Sequence, residues 1–105
     1  LVAAAAGEHE EWTDMYKRMA EEAREEGFPA IAYVWEHVVI AEKQHEHRYL
    51  GLLANVENGT VFKKDHPVVW RCRNCGCLVE GTHAPDLCPA CAHPKAHFEE
   101  LNYTF

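Results

Sequence analysis

Apolar residues in the first half of the chain recur at the three-to-four residue spacing of a helix. One stripe runs through Phe28, Ile31, Trp35 and Val38 and resumes at Leu52 and Val56, with Val34 and Val39 beside it. Carried across the gap, the rhythm lands on Glu42, His45 and Tyr49, so an acid and an imidazole stand where the pattern asks for apolar side chains. A second stripe upstream reads Glu8, Glu11, Met15, Met19 and Ala23, with Trp12 and Tyr16 adjacent. Between the two lies Glu26-Gly27-Phe28-Pro29. Glycine commonly sits just past a helix end and proline in a first turn. The pattern therefore predicts two helices, about Ala3–Glu26 and Pro29–Val56, joined by a tight turn and closed by Asn58-Gly59.

Beyond that point the chemistry of the chain changes. Four of the 5 prolines and all 5 cysteines follow Asn58. Residues 67–105 read as loops and short strands. The organisation expected is a two-helix region over 1–58, a linker over 59–66 and a small cysteine module over 67–105. With 48% hydrophobic and 26% charged residues the chain has a globular composition, and no apolar run approaches the ~20 residues that span a bilayer. Lys+Arg 10 against Asp+Glu 17 gives a net charge of −7, which argues against a nucleic-acid partner and against an anionic membrane surface. The chain opens on Leu1 with no basic segment ahead of its short alanine run, which points to a start part-way through a longer polypeptide rather than to an export signal. Eight His and 5 Cys in 105 residues exceed what packing asks for and direct attention to metal.

An unpaired carboxylate in a core costs several kcal/mol, so acids there are paired or hold a metal. Glu42 and His45 share a helix face at i, i+3, as do Glu8 and Glu11. For the first pair of acids the helix dipole offers a simpler account, since both lie near the start of their helix. Glu42-x-x-His45 is mid-helix and has no such account; its plain alternative is a surface ion pair. Glu46, His47 and Arg48 read as the solvated face, and His9 and His37 as exposed or supporting residues. Inward acids with a Glu-x-x-His motif on antiparallel helices are the parts of a carboxylate-bridged di-iron site in a four-helix bundle. A complete site takes a second Glu-x-x-His and a further acid, so two helices supply half a bundle and half a site.

Cys72-x-x-Cys75-Gly76 and Cys88-Pro89-x-Cys91 are separated by twelve residues. Two such pairs build a four-thiolate tetrahedral site, and in a chain without export signals they favour metal over disulfides and the cytoplasm as compartment. Thirty-nine residues bury little core, so the metal itself is the staple. Trp70, Phe98 and Tyr103 are the expected small core around it, and Cys77 an inert free thiol. Spacing alone favours zinc over iron.

Ala6-Gly7-Glu8-His9-Glu10-Glu11, Ala41-Glu42-Lys43-Gln44-His45-Glu46, Trp70-Arg71-Cys72-Arg73-Asn74-Cys75-Gly76 and Ala84-Pro85-Asp86-Leu87-Cys88-Pro89-Ala90-Cys91-Ala92-His93-Pro94 resemble rubrerythrins over essentially the whole chain. The resemblance implies an α-helical hairpin forming half of a ferritin-like four-helix bundle, followed by a small metal-stapled rubredoxin-like β/loop domain. It implies that Glu8, Glu11, Glu42 and His45 ligate an oxo- and carboxylate-bridged di-iron centre and that Tyr16 hydrogen-bonds beside it. It makes Cys72, Cys75, Cys88 and Cys91 the ligands of an Fe(Cys)4 centre, tipping that site from zinc to iron, with zinc a possible occupant of purified protein. The activity implied is reduction of hydrogen peroxide to water, fed with electrons from NAD(P)H through a rubredoxin or a flavoprotein reductase. Two departures stand out: Cys77 replaces a usual aromatic residue, and the first two bundle helices are absent. The missing ligands then come from a longer chain, from a complementary N-terminal half, or from a second copy in a homo-oligomer. Two other classes compete with the peroxidase: an electron carrier or ferroxidase-type iron protein, and a zinc-ribbon interaction module on a helical hairpin.

Overall fold

The computed structural model describes residues 1–104 and divides them into two compact units, Leu1–Ala54 and Asn55 onward. The first unit is a helical hairpin. Its first arm comprises α1 (Val2–Glu10), a π-helical segment (Glu11–Met15) and α2 (Tyr16–Glu25); its second arm is α3 (Pro29–Glu57). Gly27 takes φ +84°, the left-handed value that stops α2. The Phe28 N–H bonds the Ala23 carbonyl at 2.7 Å, and Pro29 then opens α3. Among the described residues, no helix is long and apolar enough to cross a membrane.

The hairpin closes on small side chains. Ala20, Ala23 and Ala32 are buried together with Trp35 packed against them, and Ala5 is buried nearer the start. Small residues let two helices approach closely, but they bury little apolar area. On α3 the inward positions follow a seven-residue repeat: Ala32, Val39, Glu46 and Leu53 form one row, and Trp35, Glu42 and Tyr49 the row beside it. A third row, Ile31, Val38, His45 and Leu52, flanks the same ridge on its other side. Ile31 and Leu52 there are about half exposed, as are Phe28, Val34 and Val56. The apolar stripe read from the sequence thus exists, but its outer edge is left uncovered by the other arm of the hairpin. Glu46, expected on the solvated face, lies instead in the seam between the arms, because the repeat that buries Ala32 and Val39 returns to position 46.

The second unit is a three-stranded antiparallel sheet in the order β2-β1-β3, with β1 Lys63–Cys72, β2 Leu78–His83 and β3 Phe98–Glu100. Trp70 pairs with Val79 on one side and Glu100 on the other, and Cys72 pairs with Phe98. The ladder between β1 and β2 is irregular between Lys63 and Val68, where Pro67 has no N–H to donate. Residues 63–66, expected in the linker, are already strand, since Lys63 pairs with His83. The core comprises Trp70, Cys72, Ala84, Cys88 and Phe98, with Trp70 and Cys72 wholly buried. The Trp70 indole N–H donates to the Gly81 carbonyl at 2.9 Å. Trp70 and Phe98 are where the sequence placed them. Tyr103 is not: it is 59% exposed, because β3 ends at Glu100 and the chain leaves the sheet, while Ala84 and the cysteines fill the space.

Candidate metal centres

In the sheet unit the four cysteines converge from two turns of the same construction. In the first, the Gly76 N–H bonds the Cys72 carbonyl at 2.8 Å and the Cys72 N–H bonds the Cys77 carbonyl at 2.9 Å. In the second, the Ala92 N–H bonds the Cys88 carbonyl at 2.9 Å and the Cys88 N–H bonds the His93 carbonyl at 2.8 Å. Both turns need a left-handed residue after the second cysteine. Gly76 (φ +80°) supplies it without strain, and Ala92 (φ +58°) adopts it at a cost.

Cys72 Sγ lies 3.7 Å from Cys91 Sγ, and Cys75 Sγ 3.7 Å from Cys88 Sγ. These separations are far beyond a disulfide bond. They match the roughly 3.8 Å edge of a tetrahedron with metal–sulfur distances of about 2.3 Å. The residues therefore fit a four-thiolate metal. Crowding the thiols splits their acidities. For Cys88, burial works against ionisation, but the backbone N–H groups of Ala90 and Cys91 and the neighbouring thiols outweigh it and bring the group down to about 6. For Cys75, the backbone N–H of Cys77 favours the thiolate, while Cys91, burial and the other two cysteines push it up to about 12. A cation among them would relieve that competition, since it favours the thiolate at every position. Cys77 stands outside the group of four; it packs against the core, and burial first, then the charge of Cys88, raises its pKa.

In the hairpin, Glu8 from α1 and Glu42 and His45 from α3 gather with their ligand atoms within 4.8 Å of one another. His45 Nδ1 is 2.6 Å from Glu42 Oε2, within hydrogen-bond distance, and 3.5 Å from Glu8 Oε2. That Glu8 oxygen is buried and has no hydrogen-bond partner. An orphaned carboxylate oxygen beside an imidazole is costly without a cation to satisfy it. Carboxylates with one imidazole are a donor set suited to iron, so these three residues fit the metal. Glu8 and His45 also line an open concavity of about 360 Å³ with Arg48, Tyr49 and Leu52.

Glu11, the fourth expected ligand, is half-buried but outside the group of three. It belongs to the π-helical segment, where the Tyr16 N–H reaches back to the Glu11 carbonyl. Such segments often mark functional sites, and of the six residues Glu11–Tyr16 only Asp14 is exposed. Tyr16 stacks on Trp35 with ring centroids 5.3 Å apart. Its pKa is raised by burial and then by the charges of Glu42, Glu11 and Glu8. The phenol thus sits within the field of all three acids and keeps its proton at neutral pH. Beside this group, and missed in the sequence, Glu46 accepts from Trp12 Nε1 at 2.5 Å and from His9 Nδ1 at 2.9 Å. His37 is exposed, and its Nδ1 lies 2.7 Å from the Tyr33 carbonyl.

The family model described as rubrerythrin matches residues 1–53, and the one described as the rubredoxin-like domain of rubrerythrin matches residues 70–99. The rubrerythrin of Porphyromonas gingivalis is 53% identical over 105 residues, covering 100% of this chain and 52% of its own length. That of Nitratidesulfovibrio vulgaris is 55% identical over 101 residues, covering 96% of this chain and 53% of its own length. A putative rubrerythrin of Methanocaldococcus jannaschii is 50% identical over 99 residues, covering 94% of this chain and 48% of its own length. The chain spans about half the length of the curated relatives it matches.

Proposed function

Since this chain belongs to the rubrerythrin family, we propose that it is part of a non-haem di-iron peroxidase that reduces hydrogen peroxide to water. The family binds a di-iron centre and an Fe(Cys)4 site, and the four-cysteine group here has the geometry for the second. In this reading Glu8, Glu11, Glu42 and His45 hold one half of the di-iron site, and residues outside this chain hold the other. Those residues belong to a longer polypeptide, a complementary N-terminal half or a second copy. Cys72, Cys75, Cys88 and Cys91 hold the single iron.

The observation that carries the proposal is the buried, unpartnered Glu8 Oε2 beside His45 and Glu42, on a face that the hairpin itself leaves uncovered. Held by these residues, a di-iron centre would supply the two electrons that, with two protons, take hydrogen peroxide to water. The work of the chain's own residues is to hold and orient. Glu8, Glu42 and His45 bring two carboxylates and an imidazole within 4.8 Å of one another, a donor set that would hold a cation. Tyr16 keeps its phenolic proton against three acids and can donate it as a hydrogen bond toward that group. The thiolates close the tail site completely, which leaves it no open position for peroxide and suits it to electron relay. The upstream donor is a rubredoxin or a flavoprotein reductase drawing on NAD(P)H, and the compartment is the cytoplasm, where thiols stay reduced.

The test is stopped-flow reoxidation of the fully reduced, bundle-complete protein by stoichiometric peroxide, followed at the visible absorption of the ferric thiolate site. Peroxide should restore that absorption in the parent protein and do so at least ~100-fold more slowly in Glu42→Ala. Equal rates in the two proteins would place the peroxide chemistry elsewhere.

A further inference from the structure

We propose that Glu46 is a positioning residue: through Trp12 Nε1 and His9 Nδ1 it pins the widened turn of the first arm to α3 and so sets where Glu8 and Glu11 stand relative to Glu42 and His45. The inference rests on the di-iron reading above and adds a residue to it.

Glu46 follows His45 directly, and one residue is about 100° of helix rotation. His45 therefore turns to the uncovered side of the ridge while Glu46 turns into the seam between the arms. Only 17% of the Glu46 side chain is exposed, an unusual burial for a carboxylate. Both of its oxygens are used: Oε2 accepts from Trp12 at 2.5 Å and Oε1 from His9 at 2.9 Å. It also lies outside the group formed by Glu8, Glu42 and His45. With its oxygens spent on the first arm, its role is to hold that arm rather than to bind metal.

The two donors are placed where holding matters. His9 is next to Glu8, and Trp12 is next to Glu11, so the clamp has a foot beside each acid. His9 and Trp12 also pack edge to face, with centroids 5.3 Å apart. The Trp12 ring is flanked by the ammonium groups of Lys17 at 5.5 Å and Lys43 at 5.3 Å, one from each arm. The Thr13 hydroxyl donates to the His9 carbonyl at 2.5 Å, which satisfies an oxygen in the stretch where the helix widens. A widened turn has no regular ladder to fix its register, so a side-chain anchor at this level fixes what the backbone leaves free.

The experiment compares Glu46→Ala, Glu46→Gln and Trp12→Phe with the parent in the bundle-complete protein. Three readouts are taken: bundle iron affinity, the Mössbauer spectrum of the bundle iron, and far-UV circular dichroism. The ferric thiolate absorption of the tail serves as an internal control. Glu46→Ala and Trp12→Phe should each weaken bundle iron binding about tenfold, the low end of what outer partners of metal ligands contribute. Both should alter the Mössbauer spectrum while helicity and tail absorption stay as in the parent. Glu46→Gln, which keeps an acceptor for the indole, should stay within about threefold of the parent. Combining Glu46→Ala with Trp12→Phe should add little to either alone, because one bond is removed twice. If Glu46→Ala fails to fold, Trp12→Phe decides the matter, since it keeps the ring and removes only the donor. Parent-like iron affinity and spectrum in Trp12→Phe and Glu46→Ala would overturn the proposal. A parent protein that binds tail iron but none in the bundle would overturn the di-iron reading and this inference with it.

Discussion

The two units solve the problem of a small core in opposite ways. The sheet unit buries its largest side chain: Trp70 is wholly enclosed, Phe98 nearly so, and the wall opposite is made of cysteines that a metal would tie together. The hairpin buries only alanines completely, and leaves Phe28, Ile31, Val34, Leu52 and Val56 about half exposed. One unit is self-contained once its metal is bound. The other leaves apolar side chains exposed along α3, on the ridge that also carries Glu42 and His45. The contrast teaches that, on the proposed reading, the incomplete site and the incomplete core have one remedy: elements that complete the ligands would also cover Ile31 and Leu52.

The largest break in that contrast is removal of the tail metal. Chelation, or Cys72→Ser, should unfold the sheet unit, since structural metal binding is worth on the order of 10 kcal/mol to domains of this size. Helicity of the hairpin should be unaffected. Simultaneous loss of both signals in the melt would show that the units do not fold separately.

Neighbouring residues on α3 sharpen the comparison at smaller scale. Ala32 has 0% exposure and Ile31 47%. Ala32→Leu should overpack the seam and destabilise the hairpin by about 1–3 kcal/mol in thermal melts. Ile31→Asn should change hairpin stability in this chain by no more than about 0.5 kcal/mol. Its effect should appear instead as a loss of association with whatever completes the bundle, read by size-exclusion chromatography.

The two cysteine turns offer a third test. Ala92 holds the left-handed conformation that Gly76 takes freely. Ala92→Gly relieves that strain but makes the unfolded chain more flexible, so a net gain of about 0.5 kcal/mol is expected in holo-protein denaturation. A loss of stability would mean that the Ala92 methyl makes a contact of more value than the strain costs.

The smallest effect concerns acid. The hydrogen bond from Trp12, then that from His9, hold the Glu46 pKa below its usual 4.5. A group so lowered contributes stability above its unfolded pKa and loses it as pH falls through the folded value. Hairpin helicity in the metal-free chain should therefore persist to slightly lower pH in the parent than in Trp12→Phe, which lacks the first donor. Superimposable acid titrations would contradict it.

Much of this was legible from residues alone. Gly27 and Pro29 mark the turn because their backbone constraints leave few other places for them. The paired cysteines declare a thiolate site by spacing. Glu42 and His45 stood out because polar groups interrupted an apolar rhythm. Glu46 was hidden by the same rhythm: two adjacent faces of α3 share the row of Trp35, Glu42 and Tyr49, and which face closes within the hairpin depends on the other arm. The row of Ala32 and Val39 looked weaker than that of Ile31 and Leu52, yet it is the one that packs. The π-helical segment carries no composition signal, since Glu11–Met15 would suit an ordinary helix. Tyr103 was misplaced because an aromatic residue near a chain end looks like core until the path of the strand before it is known.

On the proposed reading Glu8, Glu42 and His45 hold half of an iron site separate from the four thiolates. Its most direct test is iron and zinc content per chain in the bundle-complete protein, compared with Glu42→Ala. The parent should hold clearly more than one iron, about three where a partner completes the bundle. The variant should hold about one, with the ferric thiolate absorption unchanged. One metal per chain in both proteins would contradict it.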